Sequence, residues 1–365
     1  MRLKPLLNIL GALLSILGIT MVVPIFISYG YGESDLNGFL YSALICISIG
    51  LPVWIMTRHR RPLTNRDGFA IVTFSWIITA VAGALPFYFS GAIPNITDAF
   101  FESMSGVTTT GASIIGNTDT LPNLPNGIES LPHGILFWRS FIQWIGGMGI
   151  VVFYIAILPL LGVGGVQLFK AEVPGPVADK ITPRVRETAK FLWIVYVGIT
   201  TAEVIALMVA GMGVFDAICH SLTTMPTGGF STKNASIGHY DSSLIHYIFI
   251  FFMFLAGVNF SLHFRAINGD VKSYVIGFVL SVILTVIPFW MVMEGDFSKS
   301  TTIWSIVTLG LVQIWVHLKY FLHLNFVTED GRASTFSFLF SALIIFMVVG
   351  LSVWIIYESN AMMMY

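Results

Sequence analysis

The stretch Val107-Thr108-Thr109-Thr110-Gly111-Ala112-Ser113 is uncharged, rich in threonine and glycine, and lies between two apolar runs long enough to cross a bilayer. Non-helical backbone at membrane depth is tolerated only where protein or a water-filled cavity surrounds it. Threonine and glycine suit a loop that directs carbonyl oxygens at a bare cation. A second stretch of this kind follows: Met225-Pro226-Thr227-Gly228-Gly229-Phe230-Ser231. For one loop alone an ordinary extracellular turn is the alternative, but the repetition favours a pair of cation-coordinating loops.

The composition is that of a polytopic membrane protein. Of the 365 residues, 56% are hydrophobic and 10% are charged, and the mean hydropathy is +0.84. Soluble domains carry about 25% charged residues. The net charge of -1 comes with no basic stripe, so no nucleic-acid partner is predicted. No catalytic triad, carboxylate pair, His-rich metal cluster or nucleotide loop is recognisable, so we predict no catalytic residues and no cofactor in the chain itself.

The predicted fold is all-α, with nine membrane spans and two shorter segments that enter the membrane and return. A spanning helix needs about 20 apolar residues. The candidate spans are residues 6–29, 36–57, 68–90, 134–160, 191–212, 243–264, 273–294, 302–324 and 335–357. The two short segments, at about 96–107 and 214–225, are predicted to be pore helices. Each ends at one of the two stretches quoted above, residues 107–113 and 225–231, which we call the first and second Thr/Gly loops.

The distribution of basic residues predicts the orientation of the chain. In this nine-span arrangement, 14 of the 18 Lys and Arg residues fall on one side, and basic residues mark the cytoplasmic side. The N-terminus is therefore predicted to be cytoplasmic and the C-terminus periplasmic, in a multi-pass protein of the bacterial inner membrane surrounded by lipid. Both Thr/Gly loops then enter from outside.

The sequence contains an internal repeat of span, short helix, Thr/Gly loop and span. The short helices begin similarly, with Asp98 in the first and Asp216 in the second. The interval from aspartate to the assigned loop glycine is 13 positions to Gly111 but 12 to Gly228 (111 minus 98, 228 minus 216), so the match is approximate. Each short helix would direct the negative end of its dipole at a cation held by the loop.

Residues 1–267 resemble the Trk/Ktr potassium-uptake family. The resemblance rests on residues 108–113, 137–149 and 227–232, together with residues 66–69 and 256–260. It implies that Gly111 and Gly228 are filter glycines, and that Thr109, Thr110 and Thr227 help to coordinate potassium, the possible substrate. It also implies a cytosolic nucleotide-binding regulator as a partner. The glycines of residues 146–149 have an alternative role, which we favour, in close helix packing.

The family builds one pore from four repeats, whereas two are recognisable here. A ring of carbonyls must surround an ion to replace its hydration shell. Either a second copy of the chain closes the ring, or the half-pore does not conduct.

The C-terminal residues 269–365 resemble subunit IV of the cytochrome o ubiquinol oxidase. The blocks that carry this resemblance are residues 271–278, 284–293, 316–318, 321–325 and 360–364. It implies a three-helix accessory subunit without a redox centre, whose partners are the other subunits of a haem–copper quinol oxidase and hold all the haem and copper.

Four segments follow from these patterns: two N-terminal helices (1–66), a first repeat (67–165), a second repeat (186–267) and the oxidase-like module (269–365). Because the last segment looks complete, the preferred prediction is a fusion that acts as a non-catalytic oxidase subunit in aerobic electron transport. The alternatives are potassium transport through a pore completed by dimerisation, and a non-functional fusion or an artefact of sequence assembly.

Overall fold

The computed structural model describes residues 3–58, 65–115, 124–149, 185–258, 272–294 and 298–317, with isolated helical residues between 339 and 354. It divides into two compact units, one formed by Met1–Val173 and Lys180–Phe264, the other by Pro174–Asp179 and Arg265–Tyr365. The predicted junction between the two family resemblances, at about 263–270, and most of the ninth predicted span lie outside the described residues. The helices of the fourth and sixth predicted spans end earlier than predicted, at Gly147 and Gly257, and residues 150–160 and 259–264 of those spans lie outside the described residues.

All regular structure in the described residues is helical, which agrees with the predicted all-α fold. The α-helices of the first unit are α1 (Leu3–Thr20), α2 (Val22–Tyr31), α3 (Leu36–Met56), α4 (Asn65–Phe89), α5 (Ile96–Val107), α6 (His133–Gly147), α7 (Val185–Val209), α8 (Val214–Thr224) and α9 (Ser243–Gly257). Short 3-10 helices occur at Gly127–Ser130 and Ser236–His239. The second unit contains α10 (Lys272–Glu294) and α11 (Lys299–His317).

Four helical segments in the described part of the chain are long and apolar enough to cross a membrane. They are Leu3–Tyr31, Leu36–Met56, Asp67–Phe89 and Phe191–Val209, and shorter apolar helices occur at Ser243–Gly257, Ile276–Val292 and Ser300–Val316. Large apolar side chains point outward from these helices, as at Phe26, where 70% of the residue is exposed. Outward-facing apolar surface on helices long enough to cross a bilayer is typical of helices that contact lipid. The chain is therefore a multi-pass membrane protein.

The N-terminal helices pack closely where small residues face each other. A Cβ atom added to Gly11 of α1 would lie 2.9 Å from the carbonyl oxygen of Gly50 on α3. One turn closer to the N-terminus, the Asn8 side chain donates a 2.7 Å hydrogen bond to the carbonyl of Trp54. Small residues allow helix backbones to approach in lipid, where close packing and interhelical hydrogen bonds hold helices together.

Helix α6 is attached at both its start and its middle to the helices around it. Glu33, in the link between α2 and α3, accepts hydrogen bonds from the His133 backbone N–H at 2.6 Å and pairs with the His133 ring at 2.8 Å. A carboxylate at a helix N-terminus satisfies an unpaired N–H and complements the helix dipole. Further along, the Trp138 indole donates to the carbonyl of Gly83 on α4 at 3.0 Å. These contacts fix the helix that faces the Thr/Gly loops.

In the second unit, α10 and α11 pack against each other and are joined by a side-chain hydrogen bond. The Gln313 amide donates to the Thr285 hydroxyl at 2.8 Å.

Candidate functional site

Both Thr/Gly loops begin with the same turn at the end of a short helix. In the first loop the N–H groups of Thr109 and Thr110 donate to the carbonyls of Gly106 and Ser105, each at 2.9 Å. In the second loop the N–H groups of Thr227 and Gly228 donate to the carbonyls of Thr224 and Thr223, at 2.9 Å and 3.0 Å. This pattern is a Schellman motif, which ends a helix with one residue in the left-handed conformation.

A threonine occupies the left-handed position in both turns. Thr109 and Thr227 each have φ of +56°. Helices usually place glycine at this position, and a positive φ is a conformational outlier for a β-branched residue. Backbone held in this way costs about 1–3 kcal/mol and clusters at ligand sites. The repeat is therefore one of strained backbone geometry as well as of sequence.

The turns also give the register of the repeat. Gly111 and Gly229 both have a positive φ, +74° and +84°, and both lie two residues after the left-handed threonine. From Asp98 to Gly111 and from Asp216 to Gly229 there are 13 positions in each case (111 minus 98, 229 minus 216). Gly111 is thus equivalent to Gly229, and Gly228 to Thr110. The one-residue mismatch found in the sequence disappears, because backbone conformation identifies the equivalent residues.

The two loops meet at the predicted filter glycines. A Cβ atom added to Gly111 would overlap the carbonyl oxygen of Gly228, and one added to Gly228 would overlap the Gln143 side chain. The Gln143 carbonyl oxygen accepts a 3.3 Å hydrogen bond from the Phe230 N–H. The structure therefore brings Gly111 and Gly228 together and places Gln143 of α6 against them.

The loop carbonyls are available for a ligand. No N–H or hydroxyl group in the described residues donates to the carbonyl oxygens of the predicted site residues, which are Thr109, Thr110, Gly111, Thr227 and Gly228. All of these residues except Gly228 are exposed or partly exposed, so their carbonyls are open to water or to an ion. This arrangement can coordinate a dehydrated monovalent cation.

A buried ion pair lies behind the loops. The Arg139 guanidinium is 2.8 Å from the Glu102 carboxylate, and both side chains are at most 1% exposed. Glu102 also accepts hydrogen bonds from the Ser113 hydroxyl at 2.9 Å and the Ile114 N–H at 3.2 Å. Sequence reasoning did not assign Glu102, Arg139 or Gln143 to the site. For Glu102 and Arg139 a signal was available in the sequence, because ionisable residues within membrane segments are rare and usually paired.

In the second repeat, Asp216 stabilises the start of the short helix α8 and the loop that follows it. The Thr232 hydroxyl donates to its carboxylate at 2.6 Å, and Lys233 lies 3.5 Å away. Burial alone would raise the pKa of Asp216. The Thr232 hydrogen bond and the Lys233 charge outweigh this effect, so the pKa of Asp216 lies below its ordinary value of 3.8. Asp216 lies outside the four candidate spans.

The lowered pKa predicts an acid-dependent loss of stability. A carboxyl with a lower pKa in the folded state adds stability that is present above the ordinary pKa of 3.8 and is lost as pH falls through the folded pKa. We expect the unfolding temperature in detergent to fall as the pH is lowered from about 5 to about 3, and less steeply in Asp216→Asn. Asp98→Asn, at the equivalent position of the first repeat, is the control. An equal slope in the wild type and in Asp216→Asn would contradict the prediction.

The fold and the loops define a class: a polytopic membrane protein built from repeats of a helix, a short helix with a strained Thr/Gly turn, and a second helix. The TrkH family model, described as a cation transport protein, matches residues 37–329. The chain belongs to the TrkH family.

Individual relatives agree with this assignment. The Trk system potassium uptake protein TrkH of Escherichia coli K12 is 45% identical over 279 residues, 75% of this chain and 56% of the relative. TrkG of the same strain is 34% identical over 333 residues, 89% of this chain and 64% of the relative. The crystal structure of the potassium transporter TrkH from Vibrio parahaemolyticus matches with a TM-score of 0.64 and 35% identity, over 85% of this chain and 64% of that one. The chain thus spans little more than half the length of the curated relatives.

These matches correct the preferred prediction of an oxidase subunit. The family match runs across the predicted junction and includes residues 269–329, and none of the comparisons supports an oxidase module with haem–copper partners. The physical reason for the error is that a bilayer demands apolar spans of similar length from any protein. Short apolar blocks therefore say little about function. The all-α membrane fold and the family resemblance of residues 1–267 are confirmed.

Proposed function

We propose that this chain transports potassium across the bacterial inner membrane, with the two Thr/Gly loops supplying the coordinating carbonyls. The observation that carries the proposal is the strained turn at Thr109 and Thr227, repeated in two loops that meet at Gly111 and Gly228. The proposed ligands are the carbonyls of Thr109, Thr110, Gly111, Thr227 and Gly228. Family membership and the names of the relatives support potassium as the substrate.

The proposed orientation has a cytoplasmic N-terminus, a periplasmic C-terminus and both short helices entering from the periplasm. The asymmetry of the basic residues supports it. The relatives are named as members of a Trk system. A cytosolic nucleotide-binding regulator remains our proposed partner for the cytoplasmic face.

A second copy of the chain is our proposed means of closing the carbonyl ring. In the first loop the space beside Gly111 is filled by the Gly228 carbonyl, whereas no described atom lies within 4 Å of a Cβ added to the equivalent Gly229. A cavity of about 200 Å³ lies on this open side and is lined partly by Gly229, Phe249 and Met253. A twofold-related copy would place its first loop there. Most oligomers of a single chain are twofold dimers.

The proposal predicts uptake by the purified chain. Reconstituted into liposomes with an inward potassium gradient, it should take up rubidium, a potassium analogue, faster than empty liposomes do. The same chain should restore growth at limiting potassium in bacteria that lack potassium uptake. Failure of both by a folded, membrane-inserted chain would overturn the proposed function. Native mass spectrometry of the reconstituted sample tests the dimer separately, since active monomers would contradict only the twofold closure.

A further inference from the structure

The buried Arg139 guanidinium contacts both loops at once. It donates to the Ser113 hydroxyl of the first loop at 3.2 Å and to the Ser231 carbonyl of the second loop at 3.1 Å. Its central carbon lies 4.2 Å from the centre of the Phe230 ring, a cation–π contact. A planar guanidinium can hold several acceptors in fixed directions, which an ammonium cannot do. One side chain therefore sets the position of the first loop relative to the second.

Glu102 neutralises this charge from the short helix of the first repeat. Its carboxylate accepts a hydrogen bond from the Arg139 Nε–H at 2.9 Å. It also accepts hydrogen bonds from the Ser113 hydroxyl and the Ile114 N–H, which connect it to the first loop. An uncompensated guanidinium near a cation site would repel the cation. As a pair, the two residues add hydrogen bonds behind the loops without adding net charge.

The second repeat shows that packing alone does not require this pair. Residue 220, equivalent to 102, is a histidine whose ring contacts the Ser231 hydroxyl at 3.0 Å, as Glu102 contacts Ser113. The seventh residue of the 15-residue helix α6 is Arg139, and the seventh of the 15-residue helix α9 is Phe249. The His220 and Phe249 rings pack with centres 5.8 Å apart. A histidine and a phenylalanine thus occupy in one repeat the positions that carry an ion pair in the other.

We propose that the Glu102–Arg139 pair determines the cation selectivity of the site by holding the two loops at a fixed separation. These are positioning residues, since neither supplies a loop carbonyl. The proposal rests on the proposed potassium transport. A dehydrated potassium ion is larger than a sodium ion, so carbonyls held at a fixed spacing can favour potassium, whereas loops free to move closer also accept sodium.

Three variants distinguish the two roles of the pair, which are the positioning of the loops by Arg139 and the neutralisation of its charge by Glu102. Arg139→Lys keeps the charge next to Glu102 but cannot contact Ser113, Ser231 and Phe230 together, so uptake of rubidium over sodium should become about tenfold less selective. Glu102→Gln leaves the Arg139 charge uncompensated, so the KM for potassium should rise roughly tenfold, the order expected for a unit charge near a site at an effective dielectric constant of about 20. Glu102→Gln combined with Arg139→Gln removes both charges and should keep the KM while losing selectivity.

The control is Glu129→Gln. The Glu129 carboxylate also joins the two repeats, because it accepts a hydrogen bond from the Asn234 N–H at 3.2 Å, but the Glu129 side chain is exposed. It should retain wild-type selectivity and KM. If a single variant fails to fold, the combined Glu102→Gln and Arg139→Gln variant tests the proposal instead, since replacing both members of a buried pair is often tolerated. Wild-type selectivity in Arg139→Lys or in the double variant would overturn the proposal, whereas an inactive wild-type chain would instead overturn the proposed transport.

Discussion

Gly111→Ala is expected to lower rubidium uptake by at least about a hundredfold, because misplacing a coordinating group by about 1 Å costs that order of activity. The new methyl group would overlap the Gly228 carbonyl oxygen, which is backbone and cannot rotate away. The first and second loops must therefore separate. At φ of +74° an alanine is also strained, so the loop cannot relax without losing its turn.

A matched control distinguishes the contact from the backbone strain. Gly91 has φ of +75°, but no described atom lies within 4 Å of a Cβ added there. Gly91→Ala therefore carries the same conformational cost, on the order of 1 kcal/mol, without the overlap. It should lower the unfolding temperature slightly and leave uptake within about twofold of the wild type. Equal uptake by folded Gly111→Ala and Gly91→Ala would show that contact between the loops is not required for transport.

The short helices were predictable because their signals are local. The observed bounds, Ile96–Val107 and Val214–Thr224, lie within one residue of the predicted ones. An acidic residue in the first turn, an apolar face and a Thr/Gly stretch after the last turn mark the limits of each helix. The Asn95 side chain adds an N-cap by accepting a hydrogen bond from the Thr97 N–H at 2.9 Å. Each of these features can be read within a few residues of the boundary it defines.

The geometry of the site was less predictable because it depends on contacts between distant parts of the chain. Glu102 and Arg139 belong to different helices, and only folding shows that they pair. The equivalence of Gly111 with Gly229 depends on φ, which the residue pattern Gly228-Gly229 leaves undecided. The ligand assignment of Gly228 still stands as a prediction, although its equivalent in the first loop is now Thr110.

Gly147→Ala is expected to destabilise the fold and to disrupt the second loop. An added Cβ would overlap Pro226 and lie 2.6 Å from its Cα atom and 2.8 Å from the Tyr196 hydroxyl. Overpacking of this kind costs about 1–3 kcal/mol in the free energy of unfolding. Because Pro226 directly precedes the strained Thr227, the displacement should pass into the turn that holds the second loop. We therefore expect a lower unfolding temperature together with a loss of rubidium uptake.

Gly257, the equivalent of Gly147 in the second repeat, provides the matched control for Gly147→Ala. Gly147 and Gly257 are the last residues of two helices of 15 residues, and no described atom lies within 4 Å of a Cβ added to Gly257. Gly257→Ala should be neutral or stabilising by about 0.4–1 kcal/mol, because alanine restricts the unfolded chain without straining the helix. Opposite signs for the two changes would support the packing role of the glycines at 146–149. If Gly147→Ala were as stable as Gly257→Ala and retained uptake, close packing of α6 against the second loop would not be needed for its function.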